Sequence, residues 1–450
     1  MKTILTLLVF IINKIFFLYI YYIFYYISIK SIFLLLKILA YIIRLISYTF
    51  MISKNRIYSF LIIQNDSLSM YRFRSDLINR IKKDGNRIDA ISAYDDYYSP
   101  KIQKIVDNYY PMHIYRWINI FSDIKLAITF SKFCIFKRLT NKKYDVVHTI
   151  TAKPNLIMGP LARIILGFDT RIVALISGLG SFIGPAVNGK EKNNCINRIK
   201  RKLLKFIFMF FDGVWLQNPD DVELMIKFKI IPKRKIVLAY GSGISLKENK
   251  IKDKNLLFSS IQKYPNSKKF IDNRYILLCA ARAIEEKGIL DFLNAINLKD
   301  NWDGKFILIA PPEENGVNCL AGIKSNKKVL IINEFQDPDI IDILIGHSYA
   351  VCLPSYYREG VPRFLIEGLC QAKPIITTNC AGCKETVLDK INGFVVSPRD
   401  PSALANAMEM IFSLDNKNYQ KMCLSSKSLV NERFSSDKIY EIIKKELYKI

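Results

Sequence analysis

At 450 residues the chain exceeds one ordinary domain, and half of its residues are hydrophobic, ample for two or three sizeable cores. A net charge of +26, from 66 basic and 40 acidic side chains, calls for an anionic partner. The basic residues lie among long apolar runs and no nucleic-acid module is present, which sets nucleic acid aside and favours membrane and phosphate. Nine cysteines lie scattered without a disulfide spacing, which fits a reducing cytoplasm. Cys380 and Cys383 form a lone CxxC with no partner pair and read as small buried thiols.

Residues 1–50 differ in kind from the rest. The stretch 15–29 is uncharged and rich in Ile, Phe and Tyr, and Lys30, Lys37 and Arg44 follow it. With no small-residue cleavage site, it reads as an uncleaved membrane anchor that leaves the remainder cytoplasmic. A helix lying in the membrane interface and a mere extension upstream of Met51 are the competing readings.

From residue 56 strands and helices alternate. Strand 58–63 leads through NDSLSMYRF into a helix with Phe73, Leu77, Ile78 and Ile81 on one face. Strand 88–91 follows, then a mostly helical span 102–140, strand 144–148, the loop HTITAKPN, helix 155–166 and strand 171–176. SGLGSFIG is a glycine-bearing loop. Segment 197–211, NRIKRKLLKFIFMFF, reads equally as a membrane-surface helix or a buried helix with a solvated edge. Strands 211–216 and 235–239 and the turn YGSGISLKEN close the first half, and the Lys- and Asn-rich stretch 247–273 reads as a linker. The alternation then resumes with strands 275–280, 306–310 and 329–332, helix 339–345, strands 349–353 and 374–378 and a final helix 437–449. Such alternation predicts an α/β fold with parallel sheets covered on both faces.

The most informative stretch is LPSYYREGVPRFLIEGLCQAKP, residues 353–374. A strand ends at Pro354. Gly360 lets the backbone turn or approach a ligand, and Pro362 suits the first turn of a helix over 363–371. In an open parallel sheet this crevice at the strand end binds ligands, and a helix N-terminus favours a phosphate there. Glu359 and Glu367 could both border such a site and accept hydrogen bonds from sugar hydroxyls. Spacing alone is weak evidence, since two glutamates eight residues apart arise by chance in most chains of this size.

EGVPRFLIEG after a strand ending LPS resembles the glutamate-seven-residue-glutamate motif of the retaining nucleotide-sugar glycosyltransferases of family 4. ARAIEEKGILDFLNA resembles that family's pyrophosphate-binding element, and INGFVVSPRDPSALANAM its closing strand, turn and helix. The resemblance covers residues 58–450. HTITAKPNLIMGPLAR, LISGLGSFIG and YGSGISL look most like members that extend lipid-diphosphate-linked sugars of capsule, O-antigen and N-glycan type. It implies a GT-B fold of two Rossmann-like domains facing a cleft: 51–246 for the acceptor, linker 247–273, 274–430 for the nucleotide sugar, and 431–450 crossing back to the first domain.

The resemblance further implies that Arg282 and Lys287 hold the donor diphosphate and that Glu367 accepts the ribose hydroxyls. Glu359 would contact the donor sugar, and the backbone of Gly360, Val361, Pro362 and Arg363 would cap sugar and phosphate. His148, at a strand end, faces the acceptor or is a satisfied structural histidine. The expected activity is retaining transfer of a hexose or N-acetylhexosamine from a nucleotide sugar, UDP-linked, to a lipid-diphosphate-linked saccharide. It would proceed without a cofactor or metal at the cytoplasmic face of a membrane. No Asp-x-Asp motif stands near a strand end, and Asp95-Asp96 lies in a polar turn. A nucleotide-sugar epimerase and an inactive membrane-anchored binding protein are the alternatives. NDSLSMYRF, lacking the glycine usual there, and Arg363, after Gly-Val-Pro, depart from the family pattern.

Overall fold

Unbroken apolar runs such as FLII, VV, IVALI, YILL and FILI build the strands, because a strand covered on both faces needs no polar alternation. The structure, a computed structural model, describes residues 56–115, 119–180, 195–246, 254–264, 267–271, 274–280, 282–312, 318–320, 328–334 and 337–450. The segment 1–50, read as a membrane anchor, lies outside the described residues. Among the described residues no helix is long and apolar enough to cross a membrane.

The first sheet has seven strands: β1 (Ser59–Asp66), β2 (Arg87–Ala93), β3 (Asn108–Pro111), β4 (Val146–Ile150), β5 (Arg171–Ile176), β6 (Gly213–Leu216) and β7 (Ile236–Leu238). They lie parallel in the order β3-β2-β1-β4-β5-β6-β7. The second has six: β8 (Tyr275–Cys279), β9 (Lys305–Ile309), β10 (Val329–Ile332), β11 (Ala350–Leu353), β12 (Ile375–Thr378) and β13 (Gly393–Val396). Their order is β10-β9-β8-β11-β12-β13, also parallel. In each sheet the order reverses once, between β1 and β4 and between β8 and β11. The carboxyl ends of strands at such a reversal are where open α/β sheets hold ligands.

Two expectations are corrected. The span 102–140 is not mostly helical: β3 interrupts it and pairs with β2, and the helix α2 (Ile120–Leu139) follows α1 (Ser67–Lys83) in the first domain. The four residues NYYP carry too short a pattern to announce a strand, and β2 supplies the pairing. The span 247–273 carries two helices, Lys254–Ile261 and Ser267–Ile271, and Ile261 and Phe270 are buried in the core of the second sheet. Segment 197–211 falls in the helix α3 (Cys195–Phe208) and the turn after it, with Leu204, Ile207, Phe208, Phe210 and Phe211 buried against the domain.

The C-terminal stretch Ser436–Ile442, continuing through Ile443–Tyr448, packs on the first sheet after the chain has built the second. Ile439, Tyr440, Ile443, Leu447 and Tyr448 all enter the first core. Burying each such side chain is worth roughly 1.5–3 kcal/mol, so this segment ties the two sheets together by many kcal/mol of apolar contact. Tyr440 and Lys444 add bonds to Asp84 at 2.8 and 2.6 Å.

Candidate active site

Two loops, stitched to one another, build the second-domain wall. After β8 the chain turns through Arg282 and Glu285–Lys287 to Gly288, whose φ of +71° is left-handed. A Cβ there would collide with the Pro354 carbonyl oxygen, so glycine lets this turn press on the end of β11. The hydroxyl of Ser355 and the amides of Tyr356 and Tyr357 donate to the Glu286 carbonyl at 3.0, 2.9 and 3.0 Å. This sets Lys287 against Glu359: Nζ donates to Oε1 in an ion pair whose side chains are only 11% and 14% exposed. Arg282 is half-buried, and both it and Lys287 lie over the Tyr357 ring, at 5.7 and 5.6 Å.

Helix α4 (Arg363–Cys370) starts directly after Pro362, whose carbonyl accepts from the amides of Leu365 and Ile366. Arg363 Nε donates to Glu367 Oε1 at 3.1 Å, four residues on, and its Nη1 reaches the Gly243 carbonyl at 2.5 Å. Arg72 of the first domain approaches the same Glu367 oxygen at 3.6 Å.

The two sheets face each other across a cavity of about 560 Å³. Lys287, Glu359, Gly360, Val361, Pro362, Arg363 and Glu367 line it from the second domain, together with Cys279, Ala280 and Leu353 at the ends of β8 and β11. From the first domain come Gln64 near the end of β1, Thr151 after β4, Ser177 after β5, Gln217 after β6 and Ser242 after β7. Thr151 holds a φ of +75°, a strained conformation for a β-branched residue. Helix α1 adds Leu68, Arg72, Phe73 and Arg74. Four cations against two carboxylates leave the lining with a surplus of positive charge.

The cleft is held shut by polar contacts that sequence reasoning missed. Asn218 Nδ2 donates to the carbonyls of Glu359 and Gly360, both at 3.0 Å. Arg358 Nε donates to Asp221 Oδ1 at 2.9 Å, and Lys384 bridges to Asp220 at 2.9 Å. Burial pushes the Asp221 carboxyl up to about 6, against the opposing pull of Arg358. The sequence signal was Asn-Pro-Asp-Asp: Asn218 caps helix Pro219–Lys227, its Oδ1 accepting from the Asp221 amide at 2.8 Å. Glycines allow the close approach. A Cβ on Gly360 would lie 2.9 Å from the Ser177 backbone, and one on Gly178 would lie 2.6 Å from Gly360 N.

His148 stands apart from these residues. It is fully buried in β4, its Nδ1 is 2.8 Å from the Tyr448 hydroxyl, and it is not among the residues lining the cavity. Burial and the neighbouring Arg74 charge push its pKa down to about 3, so the ring is neutral at physiological pH. β4 turns this side chain toward the C-terminal segment and away from the cavity lining, and its Nε2 is buried without a hydrogen-bond partner. Cys380 is half-buried and Cys383 buried, and burial raises both thiols above their ordinary value. Among the described residues no group of three or more His, Cys, Asp or Glu side chains is placed to hold a metal ion.

Residues 260–424 match the family described as Glycosyl transferases group 1. The chain is 26% identical over 353 residues to the N,N'-diacetylbacillosaminyl-diphospho-undecaprenol alpha-1,3-N-acetylgalactosaminyltransferase of Campylobacter jejuni, covering 76% of this chain and 86% of that one. It is 22% identical to the UDP-Gal:alpha-D-GlcNAc-diphosphoundecaprenol alpha-1,3-galactosyltransferase of Escherichia coli, over 70% and 78% of the two chains. Among solved structures it superimposes on a Rickettsia africae glycosyltransferase with a TM-score of 0.67, 21% identity and coverage of 88% and 98%. Anabaena HepE in complex with UDP and glucose gives 0.65, 14% identity and coverage of 87% and 100%. Residues 260–424 thus match a glycosyl transferases group 1 domain, and the two-sheet fold is the one that solved GT-B glycosyltransferases share.

Proposed function

We propose that this glycosyl transferases group 1 chain moves a hexose or N-acetylhexosamine from a UDP-sugar to a lipid-diphosphate-linked saccharide with retention. The observation that carries this reading is the meeting of Lys287, Glu359, Arg363 and Glu367 in one cavity between two sheet reversals. The activities of the Campylobacter and Escherichia relatives suggest the acceptor chemistry. In this reading the bond between the sugar's anomeric carbon and the diphosphate breaks, and the acceptor hydroxyl oxygen bonds that carbon on the same face while its proton passes to the departing diphosphate oxygen. The charge growing on the departing nucleoside diphosphate is offset by Lys287 and Arg282, in a partly water-excluded cleft where fixed charges act strongly. Lys287 is already held at the cavity wall by Glu359, so it needs no reorganisation for that role. Backbone from Gly360 to Arg363 and the start of helix α4 are suited to cap sugar and phosphate.

The reaction is proposed to need no metal, these cations standing in its place, and to run at the cytoplasmic face of a membrane. Support for the membrane lies on helix α2, an outer surface of the first domain. Phe121 is 86% exposed, Phe136 60% and Leu139 80%, and Lys125, Lys132 and Arg138 are exposed among them. Exposed apolar side chains interspersed with cations on one helix face fit an anionic lipid surface. One assay tests all three claims: radiolabelled UDP-sugars with polyprenyl-diphosphate-linked saccharides in anionic or neutral vesicles, with and without EDTA. Transfer in anionic vesicles that survives EDTA is expected, with less in neutral ones. Absence of transfer to any lipid-linked acceptor would end the acceptor reading. Loss on chelation restored by magnesium would end the metal-free one, and equal rates in both vesicles the membrane one.

Glu367→Ala is expected to weaken UDP binding about ten-fold. A charged acceptor of ribose hydroxyls is worth roughly 1.5–3 kcal/mol. Freeing Arg363 from the carboxylate returns part of this by strengthening its pull on the diphosphate. Uridine, which has no diphosphate, isolates the ribose contribution. Titration of uridine with unchanged affinity in the variant would remove Glu367 from the ribose site.

A further inference from the structure

We propose that Arg74, with Arg72 beside it, binds the diphosphate of the acceptor, in a second anion subsite across the cavity from the donor's. The inference rests on the acceptor reading above. Both arginines project from helix α1, on the first-domain wall, whereas Lys287 and Arg363 stand on the second-domain wall. Three of the four lining cations have a carboxylate partner. Lys287 pairs with Glu359, and Glu367 serves both Arg363 and Arg72. Arg74 has no carboxylate among the described residues. Its Nε reaches Gln64 Oε1 at a long 3.4 Å, and its Nη1 is buried without a hydrogen-bond partner.

The side chain is 2% exposed, yet it lines the cavity, with its guanidinium 5.8 Å from the Trp215 ring. Burial and the Arg363 charge push its pKa down to about 9, so it stays charged at neutral pH while poorly compensated. A buried, uncompensated guanidinium is costly, and a diphosphate offers the paired oxygens that its planar fork accepts. The chemistry of the acceptor sets where that diphosphate lies. In a saccharide of one sugar it is attached to the ring that bears the attacking hydroxyl, so it lies one ring's width from the reacting atoms and falls inside the same cavity. The donor's own diphosphate has Lys287 and Arg363 on the opposite wall, which leaves Arg74 for the other substrate.

The test is calorimetric titration of the full chain in detergent with UDP, farnesyl diphosphate and farnesol, comparing the parent with Arg74→Met, Arg74→Lys and Arg72→Met. The parent saturated with UDP is expected to bind farnesyl diphosphate as well, and farnesol far more weakly. Arg74→Met should weaken farnesyl diphosphate about ten- to a hundred-fold, the loss of a charged hydrogen-bonding partner. Arg74→Lys should recover part of that, and UDP affinity should stay within about two-fold, since the donor's charged contacts remain. Arg72→Met, on a half-exposed side chain, supplies a second reading should Arg74→Met fail to fold, and should weaken farnesyl diphosphate in the same sense. The proposal is overturned if UDP-saturated parent does not bind farnesyl diphosphate, if farnesol binds equally well, or if Arg74→Met loses UDP instead. Arg74-dependent farnesyl diphosphate binding in a chain that binds no UDP would sustain the subsite and overturn the donor reading.

Discussion

Lys287→Met lowers kcat/KM for the nucleotide sugar by about 10²–10³-fold, the usual effect of removing one preorganised group that stabilises developing charge. Methionine fills nearly the same space, so the loss reports charge. Two effects of the substitution have to be separated. Removing the ammonium also leaves the Glu359 carboxylate unpaired where it is only 14% exposed, and breaking a nearly buried pair costs at most about 3–5 kcal/mol of stability. Thermal unfolding and steady-state kinetics on Lys287→Met and on Lys287→Met with Glu359→Gln divide the two. The double substitution should regain the melting temperature, since a neutral amide is cheaper to leave at that wall, and should remain as slow as the single one. Donor kcat/KM within a few-fold of the parent in Lys287→Met would remove Lys287 from the diphosphate site.

Gly360→Ala is expected to reduce turnover about 10²-fold while the melting temperature moves by only a few degrees. The methyl group has no room: it would meet the Gln217 carboxamide oxygen and lie 2.9 Å from the Ser177 backbone, both in the first domain. Gln217 can swing aside, but the Ser177 backbone cannot without moving β5. The cheaper relief is to part the two walls by a fraction of an ångström to an ångström, and a misplacement of that size costs on the order of 10²-fold when reacting groups must align. Each sheet keeps its own core, so unfolding changes little. X-ray scattering should show a slightly larger radius of gyration. Parent-like turnover in Gly360→Ala would mean that this close approach is not required for catalysis.

Much of the second domain was legible because its information is local. A strand, a proline stop, a glycine loop and a helix start lie within residues 349–371, and nearness in sequence places Glu359, Gly360, Arg363 and Glu367 on one strand end. Lys287 was legible through its motif, yet its partner Glu359 lies 72 residues away and only the pairing of β8 with β11 brings them together. The alternating apolar runs likewise determined the α/β class, since a parallel sheet buried on both faces demands them.

What only tertiary structure decided is the first-domain wall and the closure. Arg72 and Arg74 carry no local motif of their own in the sequence, and their place in an interdomain cavity gives them chemistry. Asn218 and Asp221 announced a helix cap but not the contacts they make 137 to 142 residues away. His148 meets Tyr448 only because the C-terminal segment returns, 300 residues later, to set it there. The helices in 254–271 were hidden because Lys- and Asn-rich composition masks a few apolar residues, and Ile261 and Phe270 find their partners only in the packed core. Local pattern records which residues dislike water. It does not record which distant surface removes them from it, and every one of these residues takes its role from that surface.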